Sequence, residues 1–269
     1  MILSTLINYL EEKIPLDLQE SYDNCGLLLG EPENEIDRAL LSLDITEEII
    51  GEAIQIGANL IISHHPIFFK GLKSISQARS SDRALVLAIK HNLAIYAMHT
   101  NLDKVYNGIS FQMAKILGLE NLEFLKPGPS LTSGATKILE PSGLGVVGYL
   151  KSPMRWEDFA IELKEKMRVR VIRHTIDSGK LISKIGLCGG SGSVFLKEAI
   201  NSGCEVYISA DFKYHDFFLE KQGIIIADIG HYESEQFCPL LIREIISKKF
   251  PTFALSLTKL NTNPIHYSY

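Results

Sequence analysis

The stretch Ala58-Asn59-Leu60-Ile61-Ile62-Ser63-His64-His65-Pro66 constrains this chain more than any other. A branched apolar run of this length reads as a buried strand, and it delivers two adjacent histidines to its end. Neighbouring residues of an extended strand point to opposite faces, so both imidazoles can serve one site only if the strand stops near Ser63. Pro66 suits such a stop, because it has no amide to continue a ladder and it holds His65 out of helix. Neutral imidazole is the commonest metal-binding side chain, so the pair is a nucleus for a metal site.

The surrounding sequence alternates between strand and helix patterns. Leu3, Leu6, Ile7 and Leu10 follow helical spacing, which predicts a helix docked on a core rather than a signal peptide. A loop at Ser21–Cys25 feeds a short strand after Gly26, and Arg38–Asp44 reads as a strand. Thr46 with Glu47 and Glu48 opens a helix that Gly57 closes. Lys70–Ser80 reads as a surface loop, Ser81–His91 as a helix, Leu93–His99 as a strand and Gly108–Leu117 as a helix. A strand–helix alternation of this kind predicts an α/β layered sheet with ligands at the strand ends. The breaker-rich stretch Lys126-Pro127-Gly128-Pro129-Ser130 is the predicted domain junction. Beyond it, strands are expected near Gly145–Leu150, Lys184–Gly189, Glu205–Ser209, Gly223–Ile229 and Phe253–Leu257, with helices near Arg155–Met167, Val194–Asn201 and Glu235–Lys248. The predicted organisation is a first α/β unit over 1–126, a second over 127–222, and a C-terminal segment, 223–269, that completes the fold.

Six identities recur at a constant offset of 146: Glu52, Ala53, Ile54, Gly57, Ile62 and Ser63 reappear as Glu198, Ala199, Ile200, Gly203, Ile208 and Ser209. Either a helix–strand unit was duplicated, or two such units converged on similar residues. In this register His65 corresponds to Asp211.

A net charge of −5 and a pI near 5.9 give no general attraction for phosphate backbones or anionic lipid, so neither nucleic acid nor membrane is an expected partner. No apolar run approaches the roughly 20 residues that span a bilayer. Cys25, Cys188, Cys204 and Cys238 form no C-x-x-C pair, which fits reduced thiols in the cytoplasm.

Beside the histidine pair stands Asp228-Ile229-Gly230-His231-Tyr232-Glu233-Ser234-Glu235, where an apolar strand ends and a helix is expected to begin. His231 and Glu235 are four apart and would share one face of a helical turn. Taken alone such a pair is common on surface helices, just as Asp103, beyond the strand that ends at His99, would alone be a turn or capping residue. Together, three strand ends offer His64, His65, Asp103, His231 and Glu235: three imidazoles, two carboxylates and no thiolate. That set exceeds one tetrahedral ion and suits two divalent ions sharing a carboxylate. Mixed imidazole and carboxylate ligation admits Zn, Fe, Mn, Ni or Co. Gly189-Gly190-Ser191-Gly192-Ser193 is either a phosphate cradle or a tight strand-to-helix turn, since it lacks the P-loop lysine. His215 is either a proton donor or a hydrogen-bonded structural histidine.

These residues resemble the GTP cyclohydrolase 1 type 2 homologues, or Nif-three-like proteins, over nearly the whole chain. Tyr22-Asp23-Asn24-Cys25-Gly26-Leu27, Ser63-His64-His65-Pro66, His99-Thr100-Asn101-Leu102-Asp103, Gly189–Gly192, Asp211–Asp216 and Gly230-His231-x-x-Ser234-Glu235 carry the resemblance in order. Tyr22 stands where many members have Trp and Ser234 where many have Thr, and neither departure removes a ligand. The resemblance implies that His65, Asp103 and Glu235 hold one metal while His64 and His231 hold the other, with Glu235 bridging. It implies a toroidal homohexamer, and it implies that the inserted domain of longer members is missing here, where only Pro127–Pro141 occupies that place. The expected fold class is thus α/β, two similar layered units with a dinuclear metal site in the cleft between them. The expected activity is metal-dependent hydrolysis of a small nucleotide-like or phosphorylated molecule, of GTP cyclohydrolase type, with Glu235 and His215 as candidate catalytic groups beside a metal-bound water. A non-catalytic metal-binding or partner-binding protein is the alternative.

Overall fold

A computed structural model describes residues 1–129, 131–133, 138–177 and 179–268, without the side chains of 131–133, 138–140 and 219–222. Its contacts divide the chain into two compact units, Met1–Leu102 with Cys238–Tyr269, and Asp103–Phe237.

The first unit is built on a five-stranded sheet. Its strands are β1 (Gly26–Leu29), β2 (Arg38–Ser42), β3 (Leu60–Ser63), β4 (Ala94–Ala97) and β13 (Ala254–Leu257), in the order β1-β4-β3-β2-β13. All neighbours are parallel except β1, which runs antiparallel to β4. Every residue of β3 and β4 is buried, as parallel strands covered on both faces must be. Helices α2 (Glu47–Gln55) and α3 (Ser80–Lys90) bury Ile49, Ile50, Ala53, Ala84, Leu85 and Ala88 in one cluster with Leu40, Ile61 and Ile95 of the sheet. The threonine cap is realised as the Ile49 amide donating to Thr46 Oγ1 at 3.3 Å. Helix α1 (Leu3–Lys13) buries the predicted stripe Leu3, Leu6, Ile7 and Leu10, and its Tyr9 ring meets Phe250 edge-on after α9 (Cys238–Lys249).

The second unit has a six-stranded mixed sheet. Its order is β5 (Glu120–Pro127), β8 (Gly143–Arg155), β10 (Leu181–Leu187), β11 (Val206–Ser209), β12 (Ile225–Asp228) and β9 (Arg173–His174). β10, β11 and β12 are parallel, and β8 and β9 flank them in the opposite sense. A separate ribbon pairs β6 (Leu131–Ser133) with β7 (Ile138–Glu140). Helices α5 (Ile109–Leu117) and α6 (Trp156–Met167) pack on each other and on β8, while α7 (Leu196–Asn201) contributes Leu196 and Ala199 to a cluster with Tyr207, Phe212 and Ile226. No helix among the described residues is long and apolar enough to cross a membrane.

Two expectations change. The stretch predicted as a junction is in part a strand: β5 runs through Pro127 and pairs with β8, and proline is tolerated because β5 lies at a sheet edge. Ser130 lies outside the described residues. The units also do not follow the cuts at 126 and 222. β13 docks in parallel on β2, with Ala254 opposite Arg38 and Leu257 opposite Leu41, so the end of the chain belongs to the first sheet, whereas β12 belongs to the second.

The repeat has a structural counterpart. Leu41 pairs with Ile62 as Leu187 pairs with Ile208, so β2–β3 and β10–β11 superpose in register at the same offset. Gly57 and Gly203 sit in the left-handed region, at φ 67° and 70°. The residue after each glycine donates to the carbonyl five positions back, Ala58 to Ala53 at 2.9 Å and Cys204 to Ala199 at 3.0 Å.

Candidate metal centre

In the first unit β3 ends at Ser63, the condition under which His64 and His65 can serve one place. The His65 amide still donates to Leu43 O at 2.9 Å, and Pro66, which has no amide, cannot carry the ladder further. His64 is fully buried, and one ring nitrogen each from His64, His65 and His99 lie within 4.8 Å of one another. Each ring is held from behind. His64 Nδ1–H donates to Met98 O at 2.8 Å, His65 Nδ1–H to Asp44 Oδ1 at 2.7 Å, and His99 Nδ1–H to Asp23 Oδ1 at 2.8 Å. Asp44 is in turn bonded by the Thr262 hydroxyl. Asp23 also accepts from the Thr100 amide at 3.0 Å, the Thr100 hydroxyl, the Asn24 amide at 2.8 Å and Cys25 Sγ at 3.2 Å. Burial alone would raise the Asp23 carboxyl, but the bonds from His99 and Thr100 outweigh it and hold the group far below the usual carboxylate range. Burial pushes the Cys25 thiol up to about 12, which keeps it protonated.

In the second unit β12 ends at Asp228, and Gly230, at φ 92°, turns the chain into the five-residue helix α8 (His231–Glu235). As the spacing predicts, His231 and Glu235 share a face, with Nε2 and Oε2 3.2 Å apart. His231 Nδ1–H donates to Asp211 Oδ2 at 2.7 Å, and Asp211 also accepts from the Ser191 hydroxyl. The hydrogen bond with Glu235, against the opposing effect of burial, raises the His231 imidazole to about 9 in the ion-free protein. Asp103 is half-buried on α4 (Thr100–Lys104), another five-residue helix just beyond its strand, β4.

The glycine stretch is a turn. Its three glycine amides are already used, that of Gly189 by Ser110 Oγ at 3.3 Å, of Gly190 by Ser234 Oγ at 2.8 Å and of Gly192 by Ser209 Oγ at 3.0 Å, so a phosphate would find these three engaged. Gly190, at φ 59°, is required for another reason: a Cβ there would overlap Glu235 Oε1. His215 is exposed among the Tyr214 and Phe218 rings, 5.4 and 6.1 Å away between centroids.

Sequence reasoning gave no site role to His99, read as part of a strand end, or to the carboxylates Asp23 and Asp44; Asp211 it set opposite His65 in the repeat, without the bond to His231. The available signal was His99's place at the end of a strand, parallel to that of the histidine pair. The donor chemistry fits divalent ions. An imidazole that ligates through one nitrogen almost always donates its other N–H to a carboxylate or carbonyl, and all four rings here do so.

The model of the Duf34/NIF3 (NGG1p interacting factor 3) family matches residues 1–264. A Clostridium perfringens protein named GTP cyclohydrolase 1 type 2 homolog is 33% identical over 246 residues, covering 90% of this chain and 89% of its own. A crystal structure of a Staphylococcus aureus protein aligns over 100% of this chain and 99% of its own, with 29% identity and a TM-score of 0.89. A Bacillus cereus protein related to NIF3 has the same fold, at 24% identity and a TM-score of 0.92 over 100% and 99% of the two chains.

Proposed function

We propose, from the premise that this chain belongs to the Duf34/NIF3 family, that it binds two divalent metal ions per chain and hydrolyses a small nucleotide-like or phosphorylated substrate, a GTP cyclohydrolase-type reaction among the candidates. The observation that carries this reading is the common anchoring of the imidazoles through Nδ1, which presets each ring to ligate through Nε2. His65, Asp103 and Glu235 would hold one ion and His64 and His231 the other, with Glu235 shared. Such a pair supplies a water activated near neutral pH and a clamp for the oxygens of a scissile group.

The chain's own residues prepare that chemistry. Asp44 and Asp211 orient His65 and His231 and raise their basicity as ligands. Asp23 orients His99, whose ring stands beside those of His64 and His65 with centroids 5.0 and 5.3 Å away. Ser234 ties α8 to the glycine turn, accepting from the Gly190 amide and donating to His231 O at 2.8 Å, which fixes the helix that carries both second-unit ligands. We extend the proposal to a cytoplasmic homohexamer on the strength of the family resemblance, to be read from mass in solution.

Protein stripped with chelator and titrated with Mn²⁺, Zn²⁺ or Fe²⁺ tests the reading. Two ions per chain are expected at pH 8, with affinity falling toward pH 5 as imidazoles protonate, and with a large loss in Glu235→Gln. The loaded protein should turn over GTP or a member of a phosphoester panel. Metal content unchanged between pH 8 and pH 5 would count against the ligand set. Binding without turnover of any substrate would leave a non-catalytic metal-binding protein.

A further inference from the structure

The second unit has a cavity of about 470 Å³, within the range that takes a small ligand, lined by Arg173, Thr175, Ile176, Tyr214, Phe217 and Phe218. Its rings are presented outward rather than packed away: Tyr214 is 73% exposed and Phe218 53%, with Ile176 beside them at 81%. They are held all the same. Tyr214 and Phe218 meet edge to face at 5.2 Å, and Phe217 lies under the Arg173 guanidinium at 5.4 Å. Exposed aromatic rings fixed by one another offer faces on which a planar ring can stack at small entropic cost.

Arg173 supplies the second half of the argument. Its Nη2 donates to Phe212 O at 3.1 Å and to the buried Asp228 carboxylate, which also accepts from the Phe212 amide at 3.2 Å and the Gly230 amide at 3.0 Å. The guanidinium is thereby locked in place, while no described residue accepts from its Nε or Nη1. No acidic side chain lines the cavity among the described residues. A guanidinium fixed through Nη2, with Nε–H and Nη1–H still to donate singly beside stacking faces, is chemistry that recognises a planar ring bearing an anionic group.

We propose that this cavity binds a heteroaromatic anion of nucleotide size, the ring stacked on Tyr214 and Phe218 and the anion on Arg173. The site does not depend on bound ions. Asp228, which locks Arg173, also holds the Gly230 turn that leads into His231, so the cavity and the helix with two candidate ligands share one buried carboxylate.

The test uses full-length, metal-free protein, so that its outcome is separate from that of metal binding. AMP, adenosine and ribose 5-phosphate are titrated by calorimetry, with saturation-transfer NMR to locate the contact. AMP is expected to bind saturably, with the strongest transfer to base protons, and each half alone is expected to bind more weakly. Tyr214→Ala and Phe218→Ala should each weaken AMP about fivefold or more, because each removes a stacking face. Arg173→Lys should weaken AMP and leave adenosine nearly unchanged, since lysine keeps the charge without the fixed Nε–H and Nη1–H donors. No saturable binding of AMP at millimolar concentration overturns the proposal, as does an unchanged affinity in both alanine variants. A change in oligomeric state in Tyr214→Ala, with no AMP binding to the parent protein, also overturns it and marks the rings as a contact between copies.

Discussion

Asp23 lies 76 residues from His99 in the chain and fixes its ring in the fold. The histidines were legible because each ends an apolar run, but nothing local in the sequence pairs His99 with Asp23, His65 with Asp44 or His231 with Asp211. Such partners are chosen by which turns the sheet brings side by side. Asp23 also carries a stability prediction. Its folded-state pKa is depressed, so its contribution is present above the unfolded value near 4 and is lost as pH falls below that value toward the folded one. Asp23→Asn is therefore expected to cost about 2 kcal/mol at neutral pH, the scale for hydrogen bonds lost to a charged group. It should also flatten the acid limb of the stability profile. Urea denaturation between pH 7 and pH 3 measures both effects, and a variant with the acid limb of the parent protein would exclude Asp23 as its source.

At the scale of elements, the repeat settles more than its six identities promise. β2 and β10 share almost no sequence, yet they pair with β3 and β11 in the same register. In each sheet the third parallel strand is followed along the chain by a helix of five residues, α4 after β4 and α8 after β12, and these carry the carboxylates Asp103 and Glu235. The helix–Gly–strand pattern was readable because a left-handed cap demands glycine, whereas β5 and β9 were missed. β5 alternates weakly and ends in Pro127-Gly128, and β9 is only two residues long, its pairing supplied by β12. The glycines separate local from site effects. Gly57→Ala and Gly203→Ala meet open space and should each cost about 1 kcal/mol through backbone strain, by similar amounts in the two units. Gly190→Ala displaces the Glu235 carboxylate and should lower metal affinity by about tenfold or more, where the other two leave it unchanged. Thermal unfolding and metal titration of the three variants make the comparison.

At the scale of the molecule, the first unit is discontinuous and the second continuous. The segment 103–237 holds its own six-stranded sheet, apolar cluster and flanking helices, and is expected to fold alone with dispersed amide resonances. The segment 1–102 lacks β13 at its sheet edge and α9 against β2, so it should stay largely unfolded until 238–269 is supplied in the same chain. Circular dichroism and NMR of the two fragments would decide this, and a cooperatively folded 1–102 would show the C-terminal return to be dispensable. The sequence by itself determined the α/β alternation, the stopping points of the strands and the residues they deliver there, because side-chain periodicity, capping and glycine or proline preferences act over a few neighbouring positions. Sheet order, the docking of β13 beside β2, and the carboxylate placed behind each imidazole were decided only in the tertiary structure. Those contacts join residues tens to hundreds of positions apart, and hydrogen-bond geometry chooses among them only once the layers have packed.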